Sequence, residues 1–228
     1  FQWFASNFAF FGKYGSFGTG AGQFQSPTGI GLDRVGNVYV LDSGNRRVQM
    51  VPANGSSPRT WGPSGTPPWS FTRPSGIAVE ANGDVIVIDE VGRAMRFNAS
   101  YRPAGDNGFV WVEAHPMAMA PRDMAIDANG NTFVLFSSDH LVRKYGPGWN
   151  LLAEWGGYGF NNGQFVNPSG IAVDPAGNVY VADTDNFRVQ VFTNTGSYLR
   201  QWGFPGDFPG GRTGLADIDR FLREAQLH

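Results

Sequence analysis

The chain has 228 residues, room for one or two domains with a real core, and its 17 Lys and Arg against 19 Asp and Glu leave a net charge of −2. The basic residues are scattered, which argues against the cationic footprint of a phosphate-backbone binder, and cysteine is absent, which excludes disulfides and a thiol nucleophile. With 32 Gly, 15 Pro, 14% aromatic and only 16% charged residues, the composition suits many short strands joined by tight turns, an all-β class.

In chain order, Phe1 to Phe4 and Phe8 to Tyr14 read as two strands. The opening carries no basic, apolar, small-residue pattern of a signal peptide, and no run of 18 apolar residues is present to span a bilayer. A start on Phe1, already inside a strand, reads as a processed or partial product, with an extracytoplasmic location as the expectation.

A repeat then dominates. Pro27-Thr-Gly-Ile, Pro74-Ser-Gly-Ile, Pro121-Arg-Asp-Met and Pro168-Ser-Gly-Ile open equivalent units 47 residues apart. Each unit runs through a short apolar stretch (Ile171 to Val173), an acid (Asp174), a Gly turn (Gly177-Asn178) and an alternating stretch (Val179 to Ala182). Two further strands follow, Arg188 to Phe192 and Tyr198 to Trp202 in the last unit, joined by the turn Thr193-Asn194-Thr195-Gly196. A four-stranded sheet of this length cannot bury both faces alone, and radial stacking solves the problem, so the units predict the blades of a β-propeller.

The stretch Pro168 to Phe192, with Pro27 to Val51 close behind, resembles the NHL repeat, as do the linkers Phe17 to Pro27 and Tyr158 to Pro168. The resemblance covers roughly Gly12 to Gly203 and implies an NHL-type β-propeller over 1–212: four full blades plus the outer strands of a partial one at 1–26. For 213–228, the spacing of Leu215, Ile218, Phe221, Leu222 and Ala225 predicts a short C-terminal helix over Asp217 to Leu227, with a ring-closing strand as the alternative. Closure of the ends makes five blades; otherwise the ring is an incomplete six.

Comparison within the chain isolates one structural device. Asp42 occurs with Arg47, Asp89 with Arg93 and Asp183 with Arg188, whereas the third unit has Phe136 and Leu141 at the two places. Joint loss is what a buried charge-assisted pair predicts, since either partner alone is costly. Asp33, Glu80, Asp127 and Asp174 each precede a Gly turn and read as turn caps rather than as a ring of cation ligands.

Departures from the template gather in the third unit. Arg122 and Asp123 stand where other units have Ser or Thr and Gly, His115 lies in the linker leading in, and Asp139 and His140 occupy the loop after the second strand. All five map to one loop face and are the expected ligand or partner contacts. Met117, Met119 and Met124 read as core filling, and Trp61, Trp69 and Trp111 as interface anchors or inter-blade packing. No catalytic triad order, metal-ligand spacing or phosphate loop accompanies them, so no cofactor or catalytic residue is assigned.

The expected function is therefore a non-catalytic interaction or assembly module, using the loop face for a protein partner or self-association, with a small-molecule or glycan ligand as the other kind of occupant. The alternative is a metal-dependent lyase or lactonase-like enzyme with its site in the central funnel, which resemblance to propeller enzymes implies. RNA binding, known for the propellers of tripartite-motif proteins, conflicts with the charge balance, and no nucleic-acid partner is expected.

Overall fold

The computed structural model describes residues 2–4, 10–62, 71–98, 110–116 and 120–203. β1 (Gln2–Phe4) and β2 (Phe10–Lys13) form a two-stranded sheet, and β3 (Ser16–Phe17) and β4 (Gln23–Phe24) pair in parallel within the first linker. The four 47-residue units follow as four-stranded antiparallel sheets, each with its strands in sequence order. Blade A is β5 (Gly29–Leu32), β6 (Val38–Asp42), β7 (Arg47–Val51) and β8 (Arg59–Trp61); blade B is β9 (Pro74–Val79), β10 (Val85–Asp89), β11 (Arg93–Asn98) and β12 (Val110–Pro116). Blade C is β13 (Asp123–Ile126), β14 (Thr132–Phe136), β15 (Leu141–Tyr145) and β16 (Leu151–Gly156); blade D is β17 (Gly170–Val173), β18 (Val179–Asp183), β19 (Arg188–Phe192) and β20 (Tyr198–Trp202). This is the expected all-β architecture. The proposed helix and the choice between five and six blades fall on 204–228, outside the described residues, as does the domain boundary at 212.

The blades sort into two compact units, one with blades A and B and the other with blades C and D together with β1. Each pair of blades shares one core, because a sheet buried on both faces needs a neighbour. In the first unit Tyr39, Leu41, Val48, Trp61, Phe71, Val85 and Phe97 close it, with Tyr39 edge-on to Trp61 at 6.1 Å and Phe71 edge-on to Phe97 at 5.8 Å. Trp61 is thus buried packing and not a surface anchor. In the second unit Phe133, Phe165, Val179, Val181 and Phe192 do the same, with Trp155 packed against them. Met124 is buried as core filling; Met117, Met119 and Trp69 lie outside the described residues.

The turn between the first two strands of each blade closes on a glycine at φ +87, +88, +78 and +85° (Gly36, Gly83, Gly130, Gly177), a conformation an L side chain resists. In blades A, C and D the preceding carboxylate caps that turn. Asp174 accepts from the Asn178 backbone at 2.8 Å, the Asn178 amide at 2.7 Å and the Tyr180 hydroxyl at 2.8 Å, and Asp33 and Asp127 repeat the pattern with Asn37 and Asn131. Blade B differs. Glu80, one methylene longer, ion-pairs with Arg96 at 2.5 Å, and Asp84 takes over the turn with Asn82. Three of the four acids are the expected caps, and the fourth belongs to a Glu80–Arg96–Asp84 cluster.

Among the described residues no helix is long and apolar enough to cross a membrane.

Candidate functional site

The linker into a blade and the turn between its second and third strands lie at the same end of the sheet, opposite the Gly turns. In blades A and D one polar network ties these two loops together. Asp183 is fully buried, and its Oδ2 accepts from Arg188 Nε at 2.7 Å, Asn186 Nδ2 at 2.9 Å and Gln190 Nε2 at 3.0 Å, while Oδ1 accepts the Val166 backbone amide at 2.7 Å. Arg188 donates on to the carbonyls of Asn161 and Gln164, and Asn186 to that of Gly159. The buried ion pair therefore has further hydrogen bonds to linker backbone and to the Asn186, Gln190 and Gln201 side chains, the condition under which such a pair holds. Blade A repeats it: Asp42 accepts from Arg47, Asn45, Gln49 and the Gln25 backbone, and Arg47 donates to Thr19, Gly20 and Gln23.

In blade B the Arg93 guanidinium donates twice to Asp89 and once to Thr72, and its backbone amide donates to Asp89 Oδ1. In blade C the cross-strand partners Phe136 and Leu141 replace it in register, Phe136 is fully buried, and the Arg143 guanidinium lies 5.4 Å above its ring while pairing with Glu154. Glu154 is also the main cause that raises the Arg143 pKa. The three Asp–Arg pairs are structural, and sequence reading missed that Asn45 and Gln49, or Asn186 and Gln190, belong to the same network.

The predicted contact residues separate on inspection. His115 sits in β12, where its backbone pairs with Ala94; its side chain, like that of Trp111, lies outside the described residues. Arg122 is exposed. Asp123 turns inward between strands: its Oδ1 accepts the Met124 amide at 2.9 Å and its Oδ2 the Ile171 amide at 3.0 Å, on the inner strand of the next blade. Asp139 and His140 share the β14–β15 turn. His140 occupies its left-handed closing position at φ +57°, a seat His accepts more readily than most residues, and its Nδ1 accepts the Asn167 amide at 3.1 Å. That bond places the ring proton of the neutral imidazole on Nε2. Asp123 and His140 thus accept different backbone amides. Among the described residues no group of three His, Cys, Asp or Glu is arranged to hold a metal ion.

What the turn does bring together is aromatic. The His140 ring meets Tyr158 edge-on at 5.2 Å, and Tyr158 meets Phe160 edge-on at 6.2 Å. Tyr158 is 64% exposed and Phe160 66%. Asn167, whose amide meets His140, donates its side chain to exposed Asp185 at 2.6 Å. The result is a continuous surface strip, Phe160–Tyr158–His140–Asn167–Asp185, built from three loops of one unit.

Titration is perturbed at the opposite end. Burial alone would raise the Asp174 carboxyl, but hydrogen bonds from Asn178, Tyr180 and Ala176 outweigh it and hold the carboxyl below its ordinary value. Burial, reinforced by Asp33, pushes the Tyr39 hydroxyl up to about 12, and burial with Asp174 raises Tyr180. Burial also raises Glu80 against the pull of Arg96.

Comparison with known proteins agrees with this architecture. Residues 165–192 match the family model of the NHL repeat. Protein brain tumor of Drosophila melanogaster is 42% identical over 50 residues, 22% of this chain and 5% of its own length, and peptidyl-glycine alpha-amidating monooxygenase A of Xenopus laevis is 36% identical over 89 residues, 36% of this chain and 10% of its own. The matches thus span only a small part of the curated relatives. Among solved structures, a streptogramin B lyase aligns with a TM-score of 0.58 at 16% identity over 79% of this chain and 55% of that one. A chain of a nidogen/laminin complex aligns with a TM-score of 0.59 at 16% identity over 79% and 64%. At such identity the likeness is one of fold, that of the β-propeller. With blades repeating every 47 residues and the Asp–Arg clamp recurring in three of them, the chain is a β-propeller whose last blade carries a recognisable NHL repeat at residues 165–192.

Proposed function

We propose that this chain is a non-catalytic binding module that docks a protein partner through the loop face where linkers and second turns meet. The observation that carries this reading is the exposed pair Tyr158 and Phe160, with half-buried His140 edge-on to Tyr158, on loops pinned by buried hydrogen bonds. Rigid, exposed aromatic groups are what interface anchors are made of, since they bury large area at little conformational cost. In blade C, Asp123 and His140 each accept a backbone amide, which ties them into the fold. A chain of the same fold in a nidogen/laminin complex supports the reading by analogy.

The second reading, a metal-dependent lyase, draws support from the names of two matched enzymes, an amidating monooxygenase and a streptogramin B lyase. Metal analysis by plasma spectrometry together with native mass spectrometry separates the two. A metal-free oligomer or hetero-complex upholds the binding module; a stoichiometric divalent ion lost in His115→Ala or His140→Ala replaces it with the enzyme.

A further inference from the structure

The chain contains its own control for deciding which loop residues serve the fold. The linker and turn of blade A recur in blade D 141 residues later with the same skeleton: Ser26 and Asn167 at φ +45 and +46°, Arg46 and Phe187 at +53 and +54°, Gln25 and Val166 amides on Asp42 and Asp183. An exposed aromatic is shared at one linker position, Phe17 and Tyr158, but the other exposed residues on that skeleton do not match. Thr19, Ser26, Gly44 and Arg46 in blade A correspond to Phe160, Asn167, Asp185 and Phe187 in blade D. Since the first set supports the same backbone, the fold does not require the second.

The three loops of the second unit, 137–140, 157–167 and 184–187, carry Asp139 and Asp185 and no Lys or Arg. The same loops carry Tyr158, Phe160 and Phe187, the last 58% exposed. Exposed π-faces and carboxylates on one set of rigid loops are matched by planar cations, which stack on the rings and donate N–H groups to the carboxylates. A phosphate backbone is repelled by the same two acids.

We propose that the strip Phe160–Tyr158–His140–Asn167–Asp185 is a docking site for an arginine-bearing peptide segment laid along it, one guanidinium stacking on Tyr158 or Phe160 and a second donating to Asp185. Asn167 holds Asp185 through one oxygen, Oδ2, and the exposed carboxylate keeps its remaining acceptor capacity. This assignment rests on the binding-module reading and names the chemistry of its partner.

The test is titration of the full ¹⁵N-labelled chain with the capped pentapeptide Gly-Arg-Gly-Arg-Gly, alongside the same peptide with citrulline or lysine for arginine. Saturable shifts at the Tyr158, Asn167 and Asp185 amides are expected, weakened about three- to tenfold in Tyr158→Ala and in Asp185→Asn. Phe17→Ala, at the equivalent linker position of blade A, binds as the parent does. The site is overturned if both variants bind as the parent, if the citrulline peptide binds equally, or if the shifts map elsewhere. All three variants alter exposed residues, so an unchanged melting temperature separates lost contact from lost fold. A hetero-complex that survives in the Tyr158→Ala, Asp185→Asn double variant sinks this site and leaves the binding module standing, whereas a metal-loaded monomer with no peptide binding removes both.

Discussion

Asp123 Oδ2 accepts the backbone N–H of Ile171 at 3.0 Å, so a side chain ties the inner strand of blade C to that of blade D. The amide belongs to an edge strand of its sheet, β17, and the other three units have glycine in place of Asp123. Asp123→Gly restores the template of the other blades but leaves Ile171 without this acceptor, and is expected to lower stability by about 1–2 kcal/mol in urea unfolding. Asp123→Asn, which keeps an acceptor oxygen, recovers most of that.

The clamp in blade D is expected to be non-additive. Asp183→Ala leaves Arg188 buried without its carboxylate and costs about 3–5 kcal/mol by denaturant unfolding. Adding Arg188→Leu, one half of the blade C solution, costs less than the sum of the single changes, because the orphaned charge has gone. Strict additivity in the double-mutant cycle contradicts the reading of a coupled pair.

Alkaline stability tracks Tyr39. Its hydroxyl titrates at about 12 when folded, against about 10 in an unfolded chain. Between those values the unfolded state has released a proton that the folded state keeps, so stability present below pH 10 is lost as pH rises through this window. Tyr39→Phe removes that slope, which chemical denaturation at stepped pH detects.

The acid limb is set in part by Asp174. Its folded pKa is depressed, so its contribution is full above the unfolded carboxyl value of about 3.9 and fades as pH falls through the folded one. Asp174→Asn flattens the stability profile on the acid side relative to the parent.

Gly156 positions the His140 turn. At φ +120° an added Cβ lies 2.6 Å from the His140 carbonyl oxygen and 2.8 Å from Leu141 Cα, both backbone atoms that have no rotamer to escape into. Gly156→Ala is expected to cost roughly 2 kcal/mol or more and to shift the His140 and Asn167 amide resonances together.

The repeat was legible because Pro27, Pro74, Pro121 and Pro168 mark a strict period, and the Asp–Arg clamp because blade C lost both members at once. The rest of the clamp, Asn186 and Gln190, was equally present as a recurrence of Asn45 and Gln49, but amides are common on surfaces and their role depends on reaching linker carbonyls that sequence does not place. The aromatic strip escaped notice for a different reason. Attention to departures from the repeat pointed to blade C, whereas Tyr158, Phe160 and Asp185 sit in or before the most regular unit, and their exposure depends on how three loops meet. Glu80 was grouped with three turn caps on position alone, and one extra methylene carried it to Arg96 instead.

The matching skeletons of blades A and D make the loop pair an exchangeable cassette. Its hidden side, the Asp–Asn–Arg–Gln clamp on linker carbonyls, fixes the backbone regardless of what is mounted outside. Moving residues 158–167 and 184–187 onto 17–26 and 43–46 therefore transplants a surface without redesigning a fold, and a chain of such repeats can diversify its contacts one blade at a time while its folding instructions stay the same.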